Sequence, residues 1–187
     1  MAESTDNIVT FGMRGLVGRL LVFRQFFGKT IVAKRPRKTE IPATADQQEV
    51  QTRFTDAAKY AKAAILDPGV KSAYEAVAKP GQSAYNIAFA DYFKAPALSL
   101  PDISAYTGQA GEQISIHAKD NFMVTSVEVS IEKPDGTPVE AGEAAITDIA
   151  NEWSYITTML NDTPAGSKVR FTASDLPGNT TSLEVVV

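Results

Sequence analysis

Two apolar strands joined by a turn are predicted in residues 169–187, which read VRFTASDLPGNTTSLEVVV. Val169, Phe171 and Ala173 alternate with polar residues, which is the period of a half-buried strand. The DLPGN segment that follows contains the proline, glycine and asparagine typical of a tight turn. After that turn the alternation places Leu183, Val185 and Val187 on one face. The C-terminal end of the chain therefore favours an antiparallel pair of strands.

The same period of two recurs upstream, in strands separated by turn signals such as Lys133-Pro134-Asp135-Gly136. The residues predicted to point inward are Ile114, Ile116, Ala118, Val127, Val129, Ile131, Trp153, Tyr155 and Thr157. Short strands at regular spacing over about 85 residues are typical of two packed antiparallel sheets. We therefore predict an all-β sandwich over residues 101–187.

A β-hairpin is predicted nearer the N-terminus. Residues 16–27 are rich in β-branched and aromatic side chains, Gly28-Lys29 is a turn signal, and Thr30–Ala33 resumes the strand pattern until Pro36 ends it. Residues 1–10 are interpreted as an irregular polar start. Both faces of this hairpin carry apolar side chains, and an isolated two-stranded hairpin is marginal in water. We expect it to pack on the following helices or on another subunit.

Three short helices are predicted between the hairpin and the sandwich. Thr44 and Gln47 have the spacing of a capping box, and an apolar stripe from Val50 to Ile65 follows. Pro-Gly breaks at 67–69 and 79–81 separate this helix from one through Tyr74 and Val77 and from a third over 83–93.

Residues 95–102 contain two prolines and are interpreted as a semi-rigid linker. The predicted domains are therefore 1–100 and 101–187. The expected fold class is a multi-part α+β chain, with a β-hairpin and short helices preceding the all-β sandwich.

Charge is distributed unevenly along the chain. Residues 1–40 carry eight basic and three acidic residues, 41–100 are balanced, and 101–187 carry four basic and thirteen acidic residues. Opposite charges at the two ends favour head-to-tail contacts between copies or contact with an anionic partner, although an acidic surface also serves solubility. Because cysteine is absent, disulfides and thiolate chemistry are excluded.

The sequence also bears on location. No apolar run approaches the roughly 20 residues needed to cross a bilayer, so no membrane span is expected. Glu3 and Asp6 stand where a secretory signal would carry positive charge. The expected location is therefore the cytoplasm or a virion.

Two segments resemble known families. Residues 118–121 and 171–180, which read AKDN and FTASDLPGNT, resemble bacterial immunoglobulin-like domains over about 103–187. That fold serves adhesins, spacers, virion decorations and sugar-binding modules, so the resemblance implies a fold and no single task. The N-terminal part resembles small uncharacterised basic proteins of bacteria and phages, at Gly15, Gly18, Gly28, Lys29, Arg35, Pro36, Arg37, Lys38, Gln47, Arg53 and Phe54.

No catalytic site, metal site or cofactor is predicted. The only histidine, His117, is expected on the outer face of a strand, and Glu128 and Glu132 are too far apart along one strand for paired-carboxylate hydrolysis. Oxygen ligands for calcium are present in turns, at Asp120, Asn121, Asp175 and Asn179. Such turn residues more often bond their own backbone, so no metal is expected.

The predicted function is that of a non-enzymatic, self-associating structural subunit of a phage or phage-like particle, with an outward-projecting immunoglobulin-like domain. Its partners would be copies of itself or other particle subunits. The predicted contact residues are Arg19, Arg24, Phe26, Phe27, Lys29, Lys34, Arg35, Arg37 and Lys38. One alternative is a nucleic-acid-binding protein that uses these same cations and aromatics. Another is a glycan-binding adhesin module in which Trp153, Tyr155 or Tyr106 is the stacking platform, although a core role for Trp153 is the simpler expectation.

Overall fold

A computed structural model describes residues 2–4, 7–26, 28–36 and 42–187 of the chain. It contains three helices and three antiparallel sheets among these residues, which confirms the α+β class. The chain divides into two compact units, Met1–Thr52 and Arg53–Val187. We call them unit 1 and unit 2.

Unit 1 contains one four-stranded antiparallel sheet. Its strands are β1 (Ala2–Ser4), β2 (Gly15–Val17), β3 (Leu21–Phe26) and β4 (Lys29–Lys34), in the order β1-β4-β3-β2. The predicted hairpin is confirmed as the β3–β4 pair. The prediction of an irregular start was wrong, because Ala2–Ser4 pairs with β4.

The long first strand predicted from Leu16 is also interrupted. Gly18 and Arg19 both have positive φ, 58° and 57°, and the Leu20 backbone N–H donates to the Val17 carbonyl at 3.2 Å. Positive φ at both central positions suits the twist of a tight hairpin turn, and glycine adopts it without strain. The chain therefore folds back at this point and β2 pairs with β3.

Three helices follow, α1 (Ala45–Ala64), α2 (Pro68–Val77) and α3 (Ala84–Asp91), and α1 begins within unit 1. The capping box of α1 is confirmed. The Gln47 backbone N–H donates to Thr44 Oγ1 at 3.3 Å, and the Thr44 N–H donates to Gln47 Oε1 at 3.1 Å. Asp67 caps α2, because its Oδ1 accepts from the Gly69 and Val70 N–H groups at 2.8 and 3.0 Å.

Two four-stranded antiparallel sheets form the rest of unit 2. One has the order β5-β6-β10-β9 and the other β12-β11-β7-β8. Their bounds are β5 (Ala97–Asp102), β6 (Gln113–Lys119), β7 (Val124–Glu132), β8 (Pro138–Glu143), β9 (Ala145–Ile146), β10 (Glu152–Ile156), β11 (Lys168–Asp175) and β12 (Thr180–Val186). One hydrophobic core takes residues from both sheets, and its fully buried members include Ile114, Ile116, Val127, Val129, Ile131, Val169 and Phe171.

The predicted linker over 95–102 was wrong, because most of it is strand β5, paired with β6. β5 is an edge strand whose register shifts between Ser99 and Asp102, where Leu100 has φ 49°. A proline is tolerated at such an edge or bulge, where no ladder donor is needed, so Pro101 did not mark a linker.

The helices pack on one end of the two sheets. The Tyr74 ring of α2 stacks on Phe122 with centroids 4.1 Å apart, and Leu176 packs against the same helical cluster. Helices α2 and α3 thus belong to the same compact unit as the two sheets. The boundary between the compact units lies at 52/53, whereas the predicted domain boundary lies at 100/101.

One glycine allows a close contact between the two sheets. A Cβ added to Gly142 of β8 would lie 2.7 Å from Cε2 of Tyr155, a buried residue of β10. We expect Gly142→Ala to destabilise the protein by about 1–3 kcal/mol, because the added methyl group would overpack the core against the Tyr155 ring. Urea unfolding measures this change. In a Tyr155→Leu background the same change should cost much less, since the ring is gone. Equal costs in both backgrounds would contradict this account.

Candidate interaction surface

The two faces of the unit 1 sheet differ in how they are covered. On one face Phe23 and Thr30 are buried. The β1–β2 connection crosses that face, because Thr30 Oγ1 donates to the Thr10 carbonyl at 3.0 Å and Gln25 Nε2 donates to the Met13 carbonyl at 2.7 Å. Alternation and register assign the opposite face, which we call the outer face, to Glu3, Leu16, Val22, Arg24, Phe26, Lys29, Ile31 and Ala33.

The outer face and the β1–β2 connection expose large apolar side chains. Leu16 is 50% and Phe26 59% exposed on the outer face, while Ile8 and Phe11 of the connection are 92% and 73% exposed. Of the 21 large apolar residues that are exposed among the described residues, ten lie in unit 1, although it is much the smaller unit. A concentration of this kind marks an interaction surface, since single exposed apolar residues are normal and clustered ones are not.

Most cations that the structure describes in unit 1 have no ion pair with another described residue. Lys29 Nζ lies 2.5 Å from Glu3 Oε1 on the outer face. No ion pair to any described residue forms at five others, which are Arg14, Arg19, Arg24, Lys34 and Arg35. The outer face therefore combines exposed apolar side chains with the cations Arg24 and Lys29.

The structure separates the predicted contact residues into two groups. Arg24, Phe26 and Lys29 share the outer face. Arg19, Lys34 and Arg35 lie at the other end of the hairpin, where the Arg35 N–H donates to the Leu20 carbonyl at 2.8 Å beside the Gly18-Arg19 turn. The remaining predicted residues, Phe27, Arg37 and Lys38, lie outside the described residues.

An unpaired acidic site lies on unit 2. Glu128 of β7 and Glu143 of edge strand β8 are direct cross-strand partners, and both are exposed. Neither forms an ion pair within the described chain, whereas Glu184 is paired with Lys168 and Arg170 at 3.1 and 2.9 Å. Like charges placed directly opposite each other are destabilising, and a bound cation would relieve that cost.

The turn residues considered for calcium bond their own turns. Asp120 Oδ2 accepts from the Phe122 and Met123 N–H groups at 3.0 and 3.2 Å, and Asp175 Oδ1 accepts from the Asn179 N–H at 2.6 Å. Among the described residues no group of three or more His, Asp or Glu is arranged to hold a metal ion.

His117 lies on β6, with Ser99 and Glu152 as its partners on the neighbouring strands. It is half-buried and on the face opposite Ile116, as its alternation predicts. In the part of the chain that the structure describes, no helix is long and apolar enough to cross a membrane.

A buried carboxylate that sequence reasoning missed lies on α3. Asp91 is fully buried, its Oδ2 accepts from Tyr74 Oη at 2.9 Å, and its Oδ1 accepts from Asn121 Nδ2 at 2.7 Å. Burial raises the pKa of Asp91 to about 6, with Asp120 and Asp175 adding to the rise and the two hydrogen bonds opposing it. A lone acid in the apolar run AFADYF was the available signal.

No family model, no curated protein and no solved structure is significantly similar to this chain. The two family resemblances therefore stay predictions.

Asp91 should make stability depend on pH. Its folded pKa of about 6 exceeds its ordinary value of 3.8, so the folded state binds the proton more tightly, and this contribution is lost as pH rises through 6. Relative to Asp91→Asn, the wild-type protein should lose about 3 kcal/mol of unfolding free energy between about pH 3.5 and 7.5. Urea unfolding of both proteins across that range measures this. If the unfolding free energies of the wild-type protein and Asp91→Asn changed with pH in the same way, the prediction would be contradicted.

Proposed function

We propose that this protein is a non-enzymatic structural subunit that self-associates through the outer face of unit 1, in a phage or phage-like particle. The observation that carries the proposal is the clustering of exposed apolar side chains and unpaired cations on one small unit. A unit of about 50 residues buries a small apolar surface, so its stability without further contacts is marginal. Burying Leu16, Val22 and Ile31 of the outer face against another chain would supply some of that missing burial.

The occupant we propose for this face is a second copy of the chain. Charge complementarity supports that choice, since residues 1–40 are basic and residues 101–187 are strongly acidic. Glu128 and Glu143 supply a specific acceptor for Arg24. A contact between two different surfaces of identical chains is heterologous, so it repeats into rings or filaments.

The strand orders of unit 2 support an immunoglobulin-like sandwich. The order β5-β6-β10-β9 corresponds to A-B-E-D, and β12-β11-β7 corresponds to G-F-C, with β8 added as C′. In the proposed subunit, unit 1 of one copy contacts the Glu128–Glu143 site on this module of the next copy, and the rest of the module projects outward. The particle setting and a virion or cytoplasmic location are carried over from the sequence as part of this proposal.

A charge exchange tests the proposed contact. At about 0.02 M salt, where screening is weak, sedimentation should show oligomers that dissociate at about 0.5 M salt. Arg24→Glu should abolish assembly at low salt, and adding Glu128→Lys and Glu143→Lys in the same chain should restore it. Lys62→Glu makes the same charge change on α1 and should have no effect. A wild-type protein that is monomeric at low salt, or a charge exchange that does not restore assembly, would contradict the proposal.

A second candidate function, nucleic-acid binding, is favoured by the grouping of Arg19, Lys34 and Arg35 at one end of the hairpin. If these cations bind phosphates, duplex DNA affinity should fall steeply with salt. Replacing Lys34 and Arg35 by alanine should reduce the slope of log K against log[salt] by about 2. Fluorescence anisotropy with a labelled duplex measures this, with Lys59→Ala and Lys62→Ala as the matched control. An unchanged slope would exclude the cations as phosphate contacts.

A further inference from the structure

A small cleft with mixed chemistry lies in unit 2. Its volume is about 210 Å³, and the residues that line it are Trp153, Asp120, Asn151 and apolar residues that include Met123 and Ile146. Drug-sized ligands usually need roughly 300–1,000 Å³, so this cleft has room for about one ring. The cleft belongs entirely to unit 2 and shares no residue with the outer face of unit 1.

Of the three aromatic residues proposed as a stacking platform, Trp153, Tyr155 and Tyr106, only Trp153 is not buried. Tyr106 and Tyr155 are buried in the core, where Tyr155 Oη donates to Glu140 Oε2 at 2.9 Å. Trp153 is half-buried, packs against the same core and also lines the cleft. Trp153 therefore contacts the core and also borders the cleft, where a ligand could reach it.

The polar groups of the cleft are held by the backbone around them. Asp120 Oδ2 is fixed by the Phe122 and Met123 N–H groups, while its Oδ1 is buried and has no hydrogen-bond partner among the described residues. A buried acceptor without a partner is costly, so a small local opening that lets a ligand hydroxyl reach Oδ1 would be offset by the hydrogen bond gained. Asn151 has φ 64° and its carbonyl accepts from the Ala118 N–H at 2.9 Å, which holds this exposed residue at the rim.

We propose that this cleft binds one neutral pyranose ring of a glycan. An apolar ring face can stack on the Trp153 indole, and sugar hydroxyls can donate to the Asp120 carboxylate and exchange hydrogen bonds with the Asn151 amide. A negatively charged sugar is disfavoured, because Asp120 lines the site and residues 101–187 carry thirteen acids against four bases. The ligand class is therefore neutral hexoses and N-acetylhexosamines.

The chain contains a single tryptophan, so tryptophan fluorescence, excited selectively over the six tyrosines, reports on this cleft. We would titrate the whole protein with the methyl glycosides of glucose, galactose, mannose and N-acetylglucosamine, and with methyl glucuronide. At least one neutral sugar should give a saturable change with a Kd on the order of 1–10 mM, and the charged sugar should give none. The Kd should not change with salt, which separates this site from the salt-dependent contacts of unit 1.

Variants assign the binding to the cleft. Asp120→Asn keeps an oxygen for the two turn N–H groups but removes the charged acceptor, and it should weaken binding about tenfold or more. Trp153→Leu, followed by ligand-observed NMR, should abolish binding, whereas Ile156→Ser on the exposed side of the same strand should leave it unchanged. If no neutral sugar saturates the fluorescence change, or if Asp120→Asn and Trp153→Leu bind as the wild-type protein does, the proposal is overturned. Failure here would leave the assembly proposal intact, because that contact uses other residues.

Discussion

Hydrophobic burial is the constraint on which the account of this molecule depends, because the two units satisfy it to different degrees. Unit 2 encloses a core between two sheets, with Val127, Val129 and Phe171 almost completely buried. Unit 1 buries Phe23 and Thr30 under its own connection and exposes Leu16, Ile8 and Phe11. Apolar surface left in water costs roughly 25 cal/mol per Å², so unit 1 gains stability from any partner that covers it.

Unit 2 reaches its stability without disulfides, since the chain has no cysteine. Its two sheets are joined at Tyr155, whose ring lies against Gly142 and whose hydroxyl donates to Glu140. The helices are joined to the sheets by the Tyr74–Phe122 stack and by the buried Asp91 network. A module fastened in this way can present surface groups, such as Trp153 and the Glu128–Glu143 pair, in fixed positions.

Local patterns predicted much of the fold. The alternation around Val129 and Phe171, the Thr44–Gln47 capping box and the β3–β4 hairpin are each encoded by neighbouring residues, and the structure contains all of them. The errors arose where distant residues decide the outcome. Strand β5 forms despite Pro101 because β6 offers it an edge, and Ala2–Ser4 is a strand only because β4 is available.

The candidate sites also differ in whether neighbouring or distant residues decide them. The cationic and apolar character of residues 14–35 follows from composition, but its separation into an outer face and a turn cluster required the register of β3 and β4. The cleft brings Asp120 together with Asn151 and Trp153, and the Asp91 network brings together Tyr74, Asp91 and Asn121. The lone acid in AFADYF marks Asp91, but its partners lie 17 and 30 positions away and no local pattern identifies them.

The most direct measurement of the central claim is hydrogen–deuterium exchange of the full chain at increasing protein concentration in low salt. If unit 1 obtains its missing burial from other copies, amide protection in Leu21–Lys34 should rise with concentration while protection in β7 and β11 stays constant. Protection of Leu21–Lys34 that is already high in the dilute monomer, and independent of concentration, would show that unit 1 needs no partner and would contradict the account.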